Sequence, residues 1–233
     1  MKLRSNVWLV VVSLALFRNA SGQSFVNLNF EDATIVPDLS SPYYPYAVYA
    51  SQAIPGWTTV GFLGPNDILY NDLTLGTPNV SLLGLNDQYG PAPLDGAFSI
   101  ILQAYAYGES PSISQTSLVP ATAESLFFKA QAGTGSTTPI LQVSLGGQDI
   151  PFSAISTGAN YTLYGGNIPS TLEGQVENLT FSAFPEGGNT WEIDNIQFSP
   201  SSVPEPTTLG LIALGALLFG LRRSKNSPLP GEE

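Results

Sequence analysis

Apolar positions in the middle of this chain recur at short intervals and are never gathered into a long one-sided stripe. Residues 140–145 alternate cleanly, with Leu141, Val143 and Leu145 set against Gln142 and Ser144. That period of two is the mark of a half-buried strand. Similar runs predict strands at residues 25–30, 97–105, 125–129, 160–164, 175–182 and 190–198. Between them stand turn-forming clusters such as Gly146-Gly147-Gln148-Asp149, Gly165-Gly166-Asn167 and Pro185-Glu186-Gly187-Gly188-Asn189. Outside the two ends no window of ten residues carries a helical apolar face. Strands at this spacing, joined by Gly/Pro turns, predict an all-β antiparallel sandwich of the jelly-roll type. Residues 32–93 fit least well. They are rich in Pro, Tyr and Asn, and are expected to form long loops with a few irregular strands.

The ends read differently. Lys2 and Arg4 precede an eleven-residue apolar run at 7–17, followed by small residues Ala20 and Gly22. A basic start, a short apolar centre and a small-x-small site predict a signal peptide over residues 1–22 with an N-terminal signal helix. The exported body is then residues 23–200. Residues 201–206 form a linker containing Val203-Pro204-Glu205-Pro206, and 207–225 an apolar helix closed by Arg222, Arg223 and Lys225. Residues 207–221 as a helix span about 22 Å, short of the roughly 30 Å hydrocarbon core. Local thinning and snorkelling of Arg222 and Arg223 can make up the difference. The basic flank belongs on the cytoplasmic side, which leaves the body outside the inner membrane. Residues 226–233 are a short tail.

Charge narrows the partners. The chain has seven Lys and Arg against eighteen Asp and Glu, and no His or Cys. Between residues 23 and 200 Lys129 is the only cation. An acidic surface almost free of cations repels phosphate backbones, which excludes nucleic acid as a partner. The absence of Cys and His removes disulfides, zinc ribbons and the usual nucleophile–base pairs. No Gly-x-Ser-x-Gly elbow is present, and no motif pairs the carboxylates as a glycosidase needs. The body is therefore expected to be no enzyme.

Two chemistries remain. Glu31 in the first expected strand and Asp194 in the last would meet if the terminal strands pair. Two carboxylates brought together without a cation repel each other, which gives a structural calcium ion a purpose, with Asn29 adding an amide oxygen; solvated carboxylates at strand ends are the alternative. The second chemistry is sugar binding. Aromatic faces stack on pyranose rings, and Tyr43, Tyr44, Tyr46 and Tyr49 crowd one Pro-rich loop, with Trp57, Tyr105 and Tyr107 elsewhere. Trp57 follows Pro-Gly and is expected in the core.

Two resemblances add to this reading. Val203-Pro204-Glu205-Pro206, a Gly/Leu/Ala-rich span and Arg222-Arg223 together resemble the PEP-CTERM sorting domain of Gram-negative bacteria. That resemblance implies recognition by an exosortase-type membrane protease and transfer to the cell surface or extracellular matrix, in organisms that make exopolysaccharide. Residues 226–233 depart from it, because such proteins often stop sooner after the basic cluster. The body is similar to bacterial carbohydrate-binding jelly rolls at Asn27-Leu28-Asn29-Phe30-Glu31, Ile54-Pro55-Gly56-Trp57 and Ile193-Asp194-Asn195-Ile196-Gln197-Phe198. It implies a similar fold and, as an alternative function, contact with exopolysaccharide through the tyrosine loop.

Overall fold

A computed structural model describes residues 24–73, 77–86, 90–104, 110–133, 140–184 and 189–203. The expected signal peptide, the expected tail helix and residues 226–233 lie outside the described residues. The strands are β1 (Ala47–Tyr49), β2 (Thr58–Val60), β3 (Asp67–Tyr70), β4 (Asn79–Gly84), β5 (Phe98–Ala104), β6 (Ser112–Leu118) and β7 (Ser125–Ala132). They continue as β8 (Ile140–Leu145), β9 (Gln148–Asp149), β10 (Ser153–Thr157), β11 (Thr162–Asn167), β12 (Val176–Phe184) and β13 (Asn189–Ser199). A single turn of helix, α1 (Ala50–Ala53), joins β1 toward β2.

These strands form an eight-stranded sheet ordered β1-β3-β4-β5-β13-β7-β11-β10 and a five-stranded sheet ordered β2-β6-β12-β8-β9. The alternation that predicted the strands also builds the core between the sheets. Leu141, Val143 and Leu145 of β8 and Leu179, Phe181 and Ala183 of β12 face Leu126, Phe128 and Ala130 of β7 and Trp191 and Ile193 of β13. The Phe128 ring meets Phe181 edge-on at 5.2 Å and stacks on Tyr164 at 5.6 Å. Such pairs add about 0.5–1.5 kcal/mol beyond their area burial.

Two expectations need correction. Residues 25–30 are not a strand, although Ser24 makes one parallel bridge to Leu118. Asn27 and Phe30 take positive φ, 49° and 58°, which no extended strand accommodates. The side chain of Gln115 replaces the missing partner: its Oε1 accepts from the Val26 N–H at 2.7 Å and its Nε2 donates to the Val26 carbonyl at 3.0 Å. Gly56 (φ 87°) is required there, since a Cβ on it would strike the Val26 side chain. The chain ends still meet, because Ile196 donates to the Leu28 carbonyl at 2.9 Å and Phe25 packs on Phe198 at 5.0 Å.

The second correction concerns strand direction. β3 and β4 pair in parallel, Leu69 beside Ser81 and Tyr70 beside Leu82. Apolar alternation encodes which face a strand buries and says nothing of its partner's direction. Residues 32–93 hold β1, α1, β2, β3 and β4, a few short elements set between loops, as expected. Every residue of β4 is buried, as are six of the seven in β5. The centre of the larger sheet is thus covered on both faces, which erases the two-residue alternation that exposes a strand to a reader.

Candidate functional site

Two regions of the body gather chemistry-bearing side chains. The first is the tyrosine loop ahead of β1. The Asp38 N–H donates to the Ala47 carbonyl at 2.9 Å and closes the neck of the loop. Within it Ser41 bonds the Asp38 carbonyl, Tyr44 the Ser41 carbonyl at 3.2 Å, and Tyr46 the Tyr43 carbonyl at 2.9 Å. The Asp38 carboxylate accepts from the Ser40 N–H and hydroxyl, at 2.8 and 2.7 Å, and from the Tyr49 hydroxyl at 3.1 Å. These donors, the Ser40 hydroxyl foremost, hold Asp38 below the usual carboxylate range. Beside it, burial and then the Asp38 charge push Asp67 up.

The loop therefore presents its rings on a backbone that is already hydrogen-bonded. Tyr44 is 55% exposed and Tyr46 50%. Tyr43 is half-buried, its ring set edge-on against Phe62 at 5.8 Å. The Phe62 ring is itself 55% exposed. Sequence reasoning missed Phe62, whose only signal is an apolar pair, Phe62-Leu63, between two turn glycines. Tyr105 and Tyr107 lie outside the described residues. Trp57 is buried as expected, its Nε1 donating to the Asn27 carbonyl at 3.0 Å and its ring 5.7 Å from Phe30.

The second region contains both expected calcium carboxylates. Asp194 is fully buried on β13; its Oδ2 accepts from the Asp95 N–H at 2.9 Å and its Oδ1 from the Asn195 N–H at 2.6 Å. Glu31 Oε1 accepts from the N–H groups of Ala97 and Phe98 at 2.8 and 3.1 Å. Glu192, two residues before Asp194 and on the same face, takes the Ser99 hydroxyl at 2.5 Å and the Leu94 N–H. Three carboxylates therefore receive the amides of 94, 95, 97 and 98. Gly96 (φ 60°) lets the segment press close, since a Cβ there would meet the Glu31 carboxylate.

This arrangement tempers charge with dipoles. Burial pushes Asp194 and Glu192 each up to about 7, against the pull of their amide donors. Glu31 is near enough to add to the Asp194 shift through its charge. Lys129, across from Asp194 in register, is bound instead to Asp95 at 2.6 Å and lies over the Tyr161 ring. Asn29 is exposed on the turn before Glu31. Among the described residues no group of three or more His, Cys, Asp or Glu is arranged to hold a metal. Glu192 escaped the sequence reading because carboxylates alternating with apolar residues ordinarily face water.

At the other end, Val203 is buried, and Asn167 holds its main chain twice: the Val203 N–H donates to Oδ1 at 2.6 Å and its carbonyl accepts from Nδ2 at 3.2 Å. The expected linker is thus attached to the body where it begins. Pro204, Glu205, Pro206, Arg222 and Arg223 lie outside the described residues. Among the described residues no helix is long and apolar enough to cross a membrane.

The body is an all-β, two-sheet sandwich with side-chain clusters at its loops and edges. Its C-terminal segment defines it further: residues 202–224 match the PEP-CTERM protein-sorting motif. That motif implies an exported protein that passes through the membrane and is sorted to the surface. Two solved structures are distantly similar. One is TmCBM61 in complex with β-1,4-galactotriose, 15% identical, TM-score 0.42, covering 76% of this chain and 97% of that one. The other is the enzymatically active domain of bacteriophage CBA120 tailspike protein 4, 14% identical, TM-score 0.36, covering 62% and 19%. No curated protein matches the chain in sequence.

Proposed function

We propose that this chain is a non-enzymatic protein of a Gram-negative cell envelope or extracellular matrix, a jelly-roll body delivered by its own C-terminal tail. The observation that carries this reading is the sorting motif over residues 202–224. In it Pro204-Glu205-Pro206 meets an exosortase-type membrane protease, and the apolar segment 207–221 holds the chain in the inner membrane during transit. Arg222 and Arg223 keep the far end cytoplasmic. The test replaces both by Glu in the full chain and follows the mature protein by mass spectrometry and surface labelling. Loss of processing or display is expected. Processing and display like wild type would remove the sorting reading.

A second reading is favoured by the exposure of Tyr44 and Tyr46: the body binds exopolysaccharide through Tyr43, Tyr44 and Tyr46. Rings displayed on a loop with its amides already bonded lose little freedom on binding, which is what a stacking site requires. Binding of the detergent-solubilised full chain to a glycan array, weakened by Tyr44→Ala with Tyr46→Ala, is the expected result. Silence across the array would end it.

Calcium belongs to the proposal as a structural ion at Glu31 and Asp194, sharing those carboxylates with backbone amides. Asp194 Oδ1 and Oδ2 each accept one of these amides and keep a second lone pair for a cation, whereas both amides on Glu31 fall on Oε1 and leave Oε2 to the ion. An ion that binds the folded state alone raises the unfolding midpoint with its concentration. Equal midpoints in chelator and in millimolar calcium would delete the ion from the proposal.

A further inference from the structure

We propose that Phe62 extends the tyrosine platform across the open side of the sandwich, and that this composite surface takes uncharged polysaccharide rather than anionic polymer. The inference rests on the glycan-binding reading and names its ligand class. β1 ends the order of the larger sheet and β2 ends that of the smaller one. The tyrosines lead into β1 and Phe62 follows β2, so the Tyr43–Phe62 contact spans the two edges. A strip of rings running from one sheet to the other is longer than a single loop can offer. It suits an extended chain that contacts successive sugars.

Phe62 is held in place by its backbone, whose N–H donates to the Pro78 carbonyl at 2.8 Å. Its side chain has no polar tip, more than half of it faces water, and its ring partner Tyr43 precedes the exposed Tyr44 and Tyr46 in the same loop. Clustered exposed aromatics on a soluble surface mark a contact site. The occupant is chosen by charge. Lys129 is the only cation between residues 23 and 200, and Asp95 already binds it. The titratable groups at the foot of the platform are Asp38, Asp67 and the Tyr49 hydroxyl. Sulfate, phosphate or uronate groups would meet only like charge there. An uncharged pyranose meets ring faces for its C–H surface and the Tyr44 and Tyr46 hydroxyls for its own.

The test is affinity electrophoresis and calorimetry of the full chain in mild detergent. The uncharged probes are galactan, xylan, β-glucan and dextran; the anionic ones are alginate and hyaluronan. At least one uncharged polymer should bind and both anionic ones should not. Phe62→Ala should weaken that binding roughly three- to tenfold with an unchanged melting midpoint, and Phe62→Tyr should restore it. If Phe62→Ala binds like wild type while Tyr44→Ala with Tyr46→Ala does not, the extension to Phe62 is overturned and the glycan reading stands. Stronger binding to alginate or hyaluronan overturns the ligand class. Failure to bind any polymer overturns the reading beneath it. A concentration-dependent dimer that Phe62→Ala abolishes assigns the strip to a second copy of this chain, which also overturns the proposal.

Discussion

The Asp38–Asp67 pair under the tyrosine loop and the Glu192–Asp194 pair on β13 face the same difficulty, carboxylates gathered in a body with one cation. They meet it in different ways. Asp38 stays charged near the surface because hydroxyl and amide donors favour its ionised form, and Asp67 beside it gives way. Glu192 and Asp194 are deep, and amides from the segment after Leu94 soften but do not cancel the desolvation of burial. The contrast separates roles. The shallow pair fastens a display loop by its neck, whereas the deep pair fastens a covering segment onto the larger sheet.

Breaking the deep region should have the largest effect. Asp194→Ala leaves the part-buried Asp95 and Asn195 amides without their acceptor and empties a fully buried site, which costs about 2–4 kcal/mol. Urea unfolding of the full chain in detergent would measure it, and a loss below about 1 kcal/mol would show that the segment is not fastened this way.

Acidity gives the next effect. Both deep carboxyls hold protons more tightly folded, near 7, than at their ordinary values of 3.8 and 4.5. Between those limits the folded state carries the extra protons, so stability falls as pH rises from about 5 to 8. In chelator the midpoint should drop by several degrees over that range, and Asp194→Asn should flatten the slope. Asp38 works oppositely, but its contribution is lost only as pH falls below the ordinary carboxylate value. A midpoint that rises toward pH 8 would contradict the burial of these charges.

The smallest effect belongs to the display loop. Tyr44→Ala with Tyr46→Ala removes rings that are about half exposed, and the change in stability should stay within about 0.5 kcal/mol. A drop as large as that of Asp194→Ala would place the rings in the core and collapse the contrast between the two regions.

The same contrast explains what could be read from the sequence. β8 was legible to the residue, because one face is buried and the other wet. β5, β7, β11, β12 and β13 were legible to within a few positions. β4 was not, since it is buried on both faces, and the segment around Asn27 was not, since its partner is the Gln115 side chain. At the sites, the tyrosine loop announced itself by composition. Phe62 did not, because two distant segments meet there only after folding. Glu31 and Asp194 were read as neighbours, and their charges do interact. Their backbone donors could not be foreseen, because any residue supplies an amide and none is marked for it.

Val203 has a mechanical consequence. Its main chain is gripped at both N–H and C=O by one Asn167 side chain, one residue before the motif's first proline. Tension on the tail is delivered to both hydrogen bonds together, and a load shared between two bonds breaks neither until it can break both. The anchor point is β11, the second strand from the edge of the larger sheet. While the grip holds, a single peptide unit and no free chain separates the folded body from Pro204.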